Sequence, residues 1–226
     1  NVISKFKKKL RWGDKDNKEW FDRGGIGILF YAVMSNQLHV VNELLCNLQY
    51  EFEVKMSRLR KGNIVNEYSR RLDSCLSDNG YIVLGLPGKM TTLMAAMGFA
   101  SPEIVSMLLE CGANVETVDV MGNDAFMFAS IFGQPKNLQC WLNRVNHWDL
   151  NRQNTVVGGC ALGMAAFMSA NKLDTVKVLI KAGAYLEYQT FTGGNVISAA
   201  VANEDAEPEV VKLVLEELKL NTKNNT

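Results

Sequence analysis

TTLMAAMGFASPEIVSMLLECGANVE (Thr91–Glu116) and DAFMFASIFGQPKNLQCWLNRVN (Asp124–Asn146) carry one pattern, offset by 33 residues. In each, a small residue (Ala96, then Ala129) follows an apolar residue by three places. A second apolar cluster arrives eight to thirteen residues later. A fixed period of this size marks a stacked array, because one such unit cannot bury its own apolar face and must lean on its neighbours.

The same frame extends in both directions. DRGGIGILFYAVMSNQLHVVNELL from Asp22 fits with Ala32 as its small anchor, GGCALGMAAFMSANKLDTVKVLIKAGAYLE from Gly158 fits with Ala165, and GGNVISAAVANEDAEPEVVKLVLEEL from Gly193 fits with Ala200. The anchors are separated by 64, 33, 36 and 35 residues. TTLMAA at Thr91–Ala96 resembles the T-P-L-H-x-A signature of the ankyrin repeat. The resemblance covers roughly 22–48 and 85–220 in about five units. It implies an all-α ankyrin-repeat solenoid of stacked helix-turn-helix units with finger turns, here with a helical insertion. The family's Pro and His are absent: Thr92, Ala125, Ala161 and Val196 stand where the Pro would be. The last two units carry about two extra residues between their helices, at Ser169–Asn171 and Glu204–Glu207.

Physical reasons accompany the frame. The anchors are small because neighbouring short helices pack closely there. Gly25, Gly122, Gly158 and Gly193 stand seven residues before their anchors, where a tight turn needs a permissive backbone. Gly112-Ala113 and Gly183-Ala184 close the second helices, where glycine caps readily. The pairs Leu44–Leu45, Leu108–Leu109, Trp141–Leu142, Leu179–Ile180 and Val214–Leu215 are expected on the buried side of those helices.

Three regions follow: a basic N-terminal segment at 1–21, the repeat domain at 22–220 with a helical insertion at 49–84, and a polar tail at 221–226. In the first, Lys5, Lys7, Lys8, Lys9 and Arg11 interleave with Val2, Ile3, Phe6, Leu10 and Trp12. A basic amphipathic helix fits this spacing. It either caps the first unit or meets a membrane surface through residues 1–12. The insertion reads either as a degenerate repeat filling the array or as an excursion that packs outside it or shields a binding surface. Glu216 and Glu217 give the last helix a polar exterior.

Lys+Arg and Asp+Glu both number 24, so the formal net charge is zero and no global basic field draws nucleic acid. The five cysteines (Cys46, Cys75, Cys111, Cys140, Cys160) are scattered and without a C-x-x-C. Reduced thiols in a cytoplasmic, reducing compartment are expected, with membrane association through a larger protein or complex as the variant. No run is apolar enough to span a membrane, and the polar, basic first residues do not form a signal peptide. The chain lacks an initiating Met and reads as a piece of a longer protein or a processed chain.

No catalytic constellation emerges. The two histidines, His39 and His147, lie in different units of a linear array and cannot share a zinc ion or a nucleophile. GLPGKMTT from Gly85 fails as a phosphate-binding loop, because Val83 and Met90 stand where the motif needs Gly and Ser or Thr. Asn224-Asn225-Thr226 is a formal glycosylation acceptor without meaning on a cytosolic tail. The expectation is a non-enzyme with no cofactor, no metal and no small-molecule substrate.

The ankyrin resemblance implies where a partner protein would dock: on finger turns and on first-helix positions just after each anchor, along the concave face. Those positions carry Met34, Phe99, Ile131, Phe132, Phe167 and Met168 on the helices, with Val120, Met121, Val156, Val157 and Phe191 on the fingers. The expected function is a protein–protein interaction or scaffold module. The alternatives are a cytosolic regulatory or assembly domain of a membrane-associated protein, and an accessory domain of an enzyme whose catalytic part lies elsewhere.

Overall fold

The computed structural model describes residues 28–46, 88–202 and 205–224. The expectations for 1–21 and 49–84 lie outside the described residues. What is described is all-α: short helices in pairs, with turns between them and no extended strand among the described residues. We number the helices α1 (Ile28–Met34), α2 (Thr92–Phe99), α3 (Pro102–Glu110), α4 (Ala125–Ile131), α5 (Pro135–Arg144), α6 (Ala161–Met168), α7 (Lys172–Lys181), α8 (Val196–Val201) and α9 (Pro208–Asn224). Residues 38–46 are also helical and follow α1 as its pair. Helix α9 continues through Asn224, into the stretch whose composition reads as a polar tail.

Local chemistry sets the ends of these helices. Thr91 Oγ1 accepts the Met94 N–H at 3.3 Å and starts α2. Asp124 Oδ1 accepts the Met127 N–H at 2.9 Å and starts α4. Asn195 Oδ1 accepts from Ile197 and Ser198 at 3.1 and 3.0 Å and starts α8. Each cap satisfies backbone donors that a helix leaves unpaired at its N-terminus. The second helices α3, α5 and α9 begin on Pro102, Pro135 and Pro208, where the missing N–H costs nothing. Helices α3 and α7 end on Gly112 and Gly183, at φ of +83° and +93°. The Gly112 and Ala113 amides bond back to the Leu109 and Leu108 carbonyls, and the Gly183 and Ala184 amides bond to those of Ile180 and Leu179.

Packing follows the small anchors. Ala32, Ala96, Ala129, Ala165 and Ala200 are all buried. Thr92–Gly98 of α2 and Ala125–Ser130 of α4 are buried on every side, as a short helix covered by neighbours requires. In the second helices only one member of each expected apolar pair is fully buried: Leu45, Leu108, Trp141, Leu179 and Val214. Leu44, Leu109, Leu142 and Ile180 are half-buried, and Leu215 is exposed. Among the described cysteines, Cys160 is buried, Cys111 and Cys140 are half-buried, and Cys46 is exposed.

The chain divides into two compact units, Asn1–Val120 and Met121–Thr226. In the first, α1 packs directly on α2 and α2 on α3. The Ser101 amide donates to Asn36 Oδ1 at 2.9 Å across 65 residues of sequence, so the anchors Ala32 and Ala96 belong to helices that touch. In the second, α4, α6 and α8 pack in succession, and α5, α7 and α9 pack alongside them. Within each unit successive helix pairs lean on one another, as the period demands.

Candidate interaction surface

The turns between helix pairs are built on a left-handed residue. Gly122, Gly158 and Gly193 adopt φ of +79°, +69° and +81°. Lys89 occupies the corresponding place before α2, at φ +59°. Glycine adopts this conformation without the strain a Cβ brings, so Lys89 is the departure.

Backbone hydrogen bonds join successive turns within each unit. In the first, the Val120 amide donates to the Gly88 carbonyl at 3.0 Å. In the second, Thr155 donates to Met121 at 3.1 Å and Phe191 to Val157 at 3.0 Å. The approach is close: a Cβ on Gly122 would lie 2.6 Å from the Thr155 nitrogen, and one on Gly158 would lie 2.7 Å from the Phe191 ring. Buried Asn154 stiffens the middle turn. Its amide donates to Asn123 Oδ1 at 3.0 Å, and its own oxygen accepts from Val157 and Gly159.

These bonds leave the apolar side chains at the tips facing water. Phe191 is 65% exposed, Val156 54% and Val157 48%. Met121 is exposed beside them, and so is Val120 in the first unit. On the first helices the picture divides. Phe167 and Met168 at the end of α6 are exposed. Met34, Phe99, Ile131 and Phe132 are half-buried. Phe132 leans back on Phe128, with ring centroids 6.0 Å apart. Hence Met121, Val156, Val157 and Phe191 are the predicted residues that hydrogen-bonded turns bring together.

A second cluster escaped the sequence reading. The Arg152 guanidinium reaches Asp124 Oδ2 at 3.7 Å and lies 4.7 Å from the Trp148 ring centre. Trp148 stands edge-on to buried Trp141 at 4.9 Å, and Trp141 contacts Phe126 at 6.1 Å. The cluster ties the loop after α5 to the N-terminus of α4. It joins residues distant in sequence, and no local spacing announces it.

Elsewhere, His39 and His147 are both exposed. Among the described residues no three His, Cys, Asp or Glu side chains converge to hold a metal, and no helix is long and apolar enough to cross a membrane. Burial pushes the Cys160 thiol above its ordinary value, away from the thiolate a nucleophile needs.

No family model matches the chain. A stretch of 140 residues, 61% of the chain, is 26% identical to the phosphocholine transferase AnkX of Legionella pneumophila. The chain spans 14% of that protein's length.

Proposed function

We propose that this chain is a protein-interaction module of the ankyrin-solenoid type, and that its partner docks on the turn tips Met121, Val156, Val157 and Phe191. The observation that carries this reading is the row of exposed apolar tips held in place by turn-to-turn backbone bonds. A soluble protein seldom leaves apolar side chains grouped at its surface unless they are used, and aromatic and Met residues are the usual anchors of a partner. The ankyrin assignment is supported by the paired helices, the buried alanine anchors and the similarity to AnkX, whose name points the same way. The preformed turns lower the ordering cost of binding.

Phe167 and Met168 extend the same reading onto α6. Met34, Phe99, Ile131 and Phe132 contribute less, being partly covered, and Val120 carries the surface in the first unit. The module acts without catalysis of its own. The transferase activity in AnkX's name belongs to that protein, of whose length this chain spans 14%.

The test is affinity capture from the native cell extract with the intact chain and with a Val157→Asp/Phe191→Asp variant, both shown to be helical by circular dichroism. Loss of one prey from the folded variant supports docking on the tips. An unchanged prey set removes the tips from the interface.

A further inference from the structure

The start of α7 gathers polar side chains inside the second unit. Ser169 is 1% exposed, Thr175 0% and Lys172 6%. Lys136, Lys177, Lys181 and Lys212 of the same unit are exposed. Lys172 also lies deeper than its neighbour Leu173, which is half-buried. Burying a cation costs free energy unless an opposite charge or an acceptor meets it. Among the described residues no ion pair and no hydrogen bond engages the Lys172 ammonium. The Asp174 carboxylate, two residues on, is exposed and on another side of the helix.

The backbone beside this lysine offers donors as well. Helices α3, α5 and α9 open on proline, whereas α7 opens on Lys172 and presents every amide of its first turn. The side chain of Asn171, its N-cap residue, makes no capping bond. Among the described residues the amides of Lys172, Leu173 and Asp174 find no acceptor. Thr175 is the first to bond back, to the Asn171 carbonyl at 3.2 Å. Ser169 Oγ accepts the Asn171 amide at 3.2 Å and donates to Thr175 Oγ1 at 3.4 Å, which leaves the Thr175 hydroxyl hydrogen to give. A helical side chain leans toward the N-terminus of its own helix, so the Lys172 stem carries its ammonium back over this turn. The turn between α4 and α5 closes on the same place. A Cβ on Gly133 would lie 2.6 Å from the Asn171 nitrogen and 2.9 Å from Ser169 Oγ.

We propose that the start of α7 binds one phosphate-type oxyanion, held between the Lys172 ammonium and the amides of Lys172, Leu173 and Asp174. The unmatched buried cation and the uncapped amides are separate observations. Both call for negative charge carried on several acceptor oxygens. A tetrahedral oxyanion supplies three such oxygens from one small group, and the Thr175 hydroxyl adds a further donor. The site follows α6 in the chain, whereas the turn tips precede it, so neither reading depends on the other.

The experiment titrates the intact chain with inorganic phosphate at constant ionic strength, followed by calorimetry and by the NMR shifts of its amides. Saturable binding is expected, with the shifts concentrated at Lys172, Leu173 and Asp174. Lys172→Met keeps a buried apolar stem and removes the charge. Helical by circular dichroism, it is expected to bind phosphate roughly tenfold or more weakly, as loss of a hydrogen bond to a charged group does. Asp174→Asn removes a negative charge from the same helix end and is expected to bind about two- to fivefold more tightly. Methyl phosphate, run in parallel, shows whether the site prefers an esterified phosphate to the free ion, and either preference fits the proposal. Absence of saturable binding overturns it. So do equal binding by Lys172→Met, weaker binding by Asp174→Asn, and shifts that avoid the first turn of α7.

Discussion

The phenol oxygen of Tyr188 stands where a Cβ on residue 163 would be, and α6 carries glycine there. Tyr188 is buried, so the ring has no open space to retreat into. A glycine inside a helix otherwise costs stability, and here its reason is the close approach of the next turn segment. Gly163→Ala is expected to destabilise the chain by about 1–3 kcal/mol, the usual cost of overpacking. Combined with Tyr188→Leu, it is expected to cost less than the sum of the two single changes, measured by chemical denaturation. Additive costs would mean the two residues are not coupled.

The turns separate conformational strain from crowding. Gly193 has φ +81° and nothing within 4 Å of a built Cβ, so Gly193→Ala is expected to cost about 1 kcal/mol from backbone strain alone. Gly122 has the same conformation but faces the Thr155 backbone, so Gly122→Ala is expected to cost about 2–4 kcal/mol. Lys89→Gly works in the opposite direction and is expected to add about 0.5–1 kcal/mol. Melting curves of the three variants check the order, and equal losses for Gly122→Ala and Gly193→Ala would contradict the close contact between turns.

Stability should respond to alkaline pH through two buried groups. Burial raises the Cys160 thiol above its ordinary 9.0. Burial first, and then the neighbouring Cys160, raise the Tyr188 phenol well above its ordinary 10.0. Both folded-state values lie above the unfolded ones, so the unfolded chain loses these protons first as pH climbs. The contribution is complete below about pH 9 and declines as pH rises toward the folded values. Denaturation midpoints are expected to fall between about pH 9 and about pH 11, with the early part of the fall lost in Cys160→Ala and the later part reduced in Tyr188→Phe. An identical alkaline profile in both variants would assign the decline to other groups.

Period and composition made the paired helices readable, because stacking leaves a strict demand at a few places. Ala96 and Ala129 must be small where helices touch, and Gly122 and Gly158 must turn left-handed beneath the next turn. Lys89 hid one turn by placing a side chain where the others have glycine. The surface was harder to read, since a sequence gives the place of a residue along a helix but not the direction in which its last turn leans. Phe132 folds back on Phe128, whereas Phe167 in the corresponding region of α6 stands open. The link from Asp124 through Arg152 to Trp148 depends on a loop's path and leaves no periodic trace.

Hydrogen exchange on the intact chain, with and without the protein captured by it, tests the docking surface most directly. Binding at the tips is expected to slow exchange at 120–122, 155–158 and 190–193 relative to the free chain, with the second helices α5 and α7 unchanged. Protection confined to those second helices, with the turns exchanging as before, would contradict the turn-tip interface.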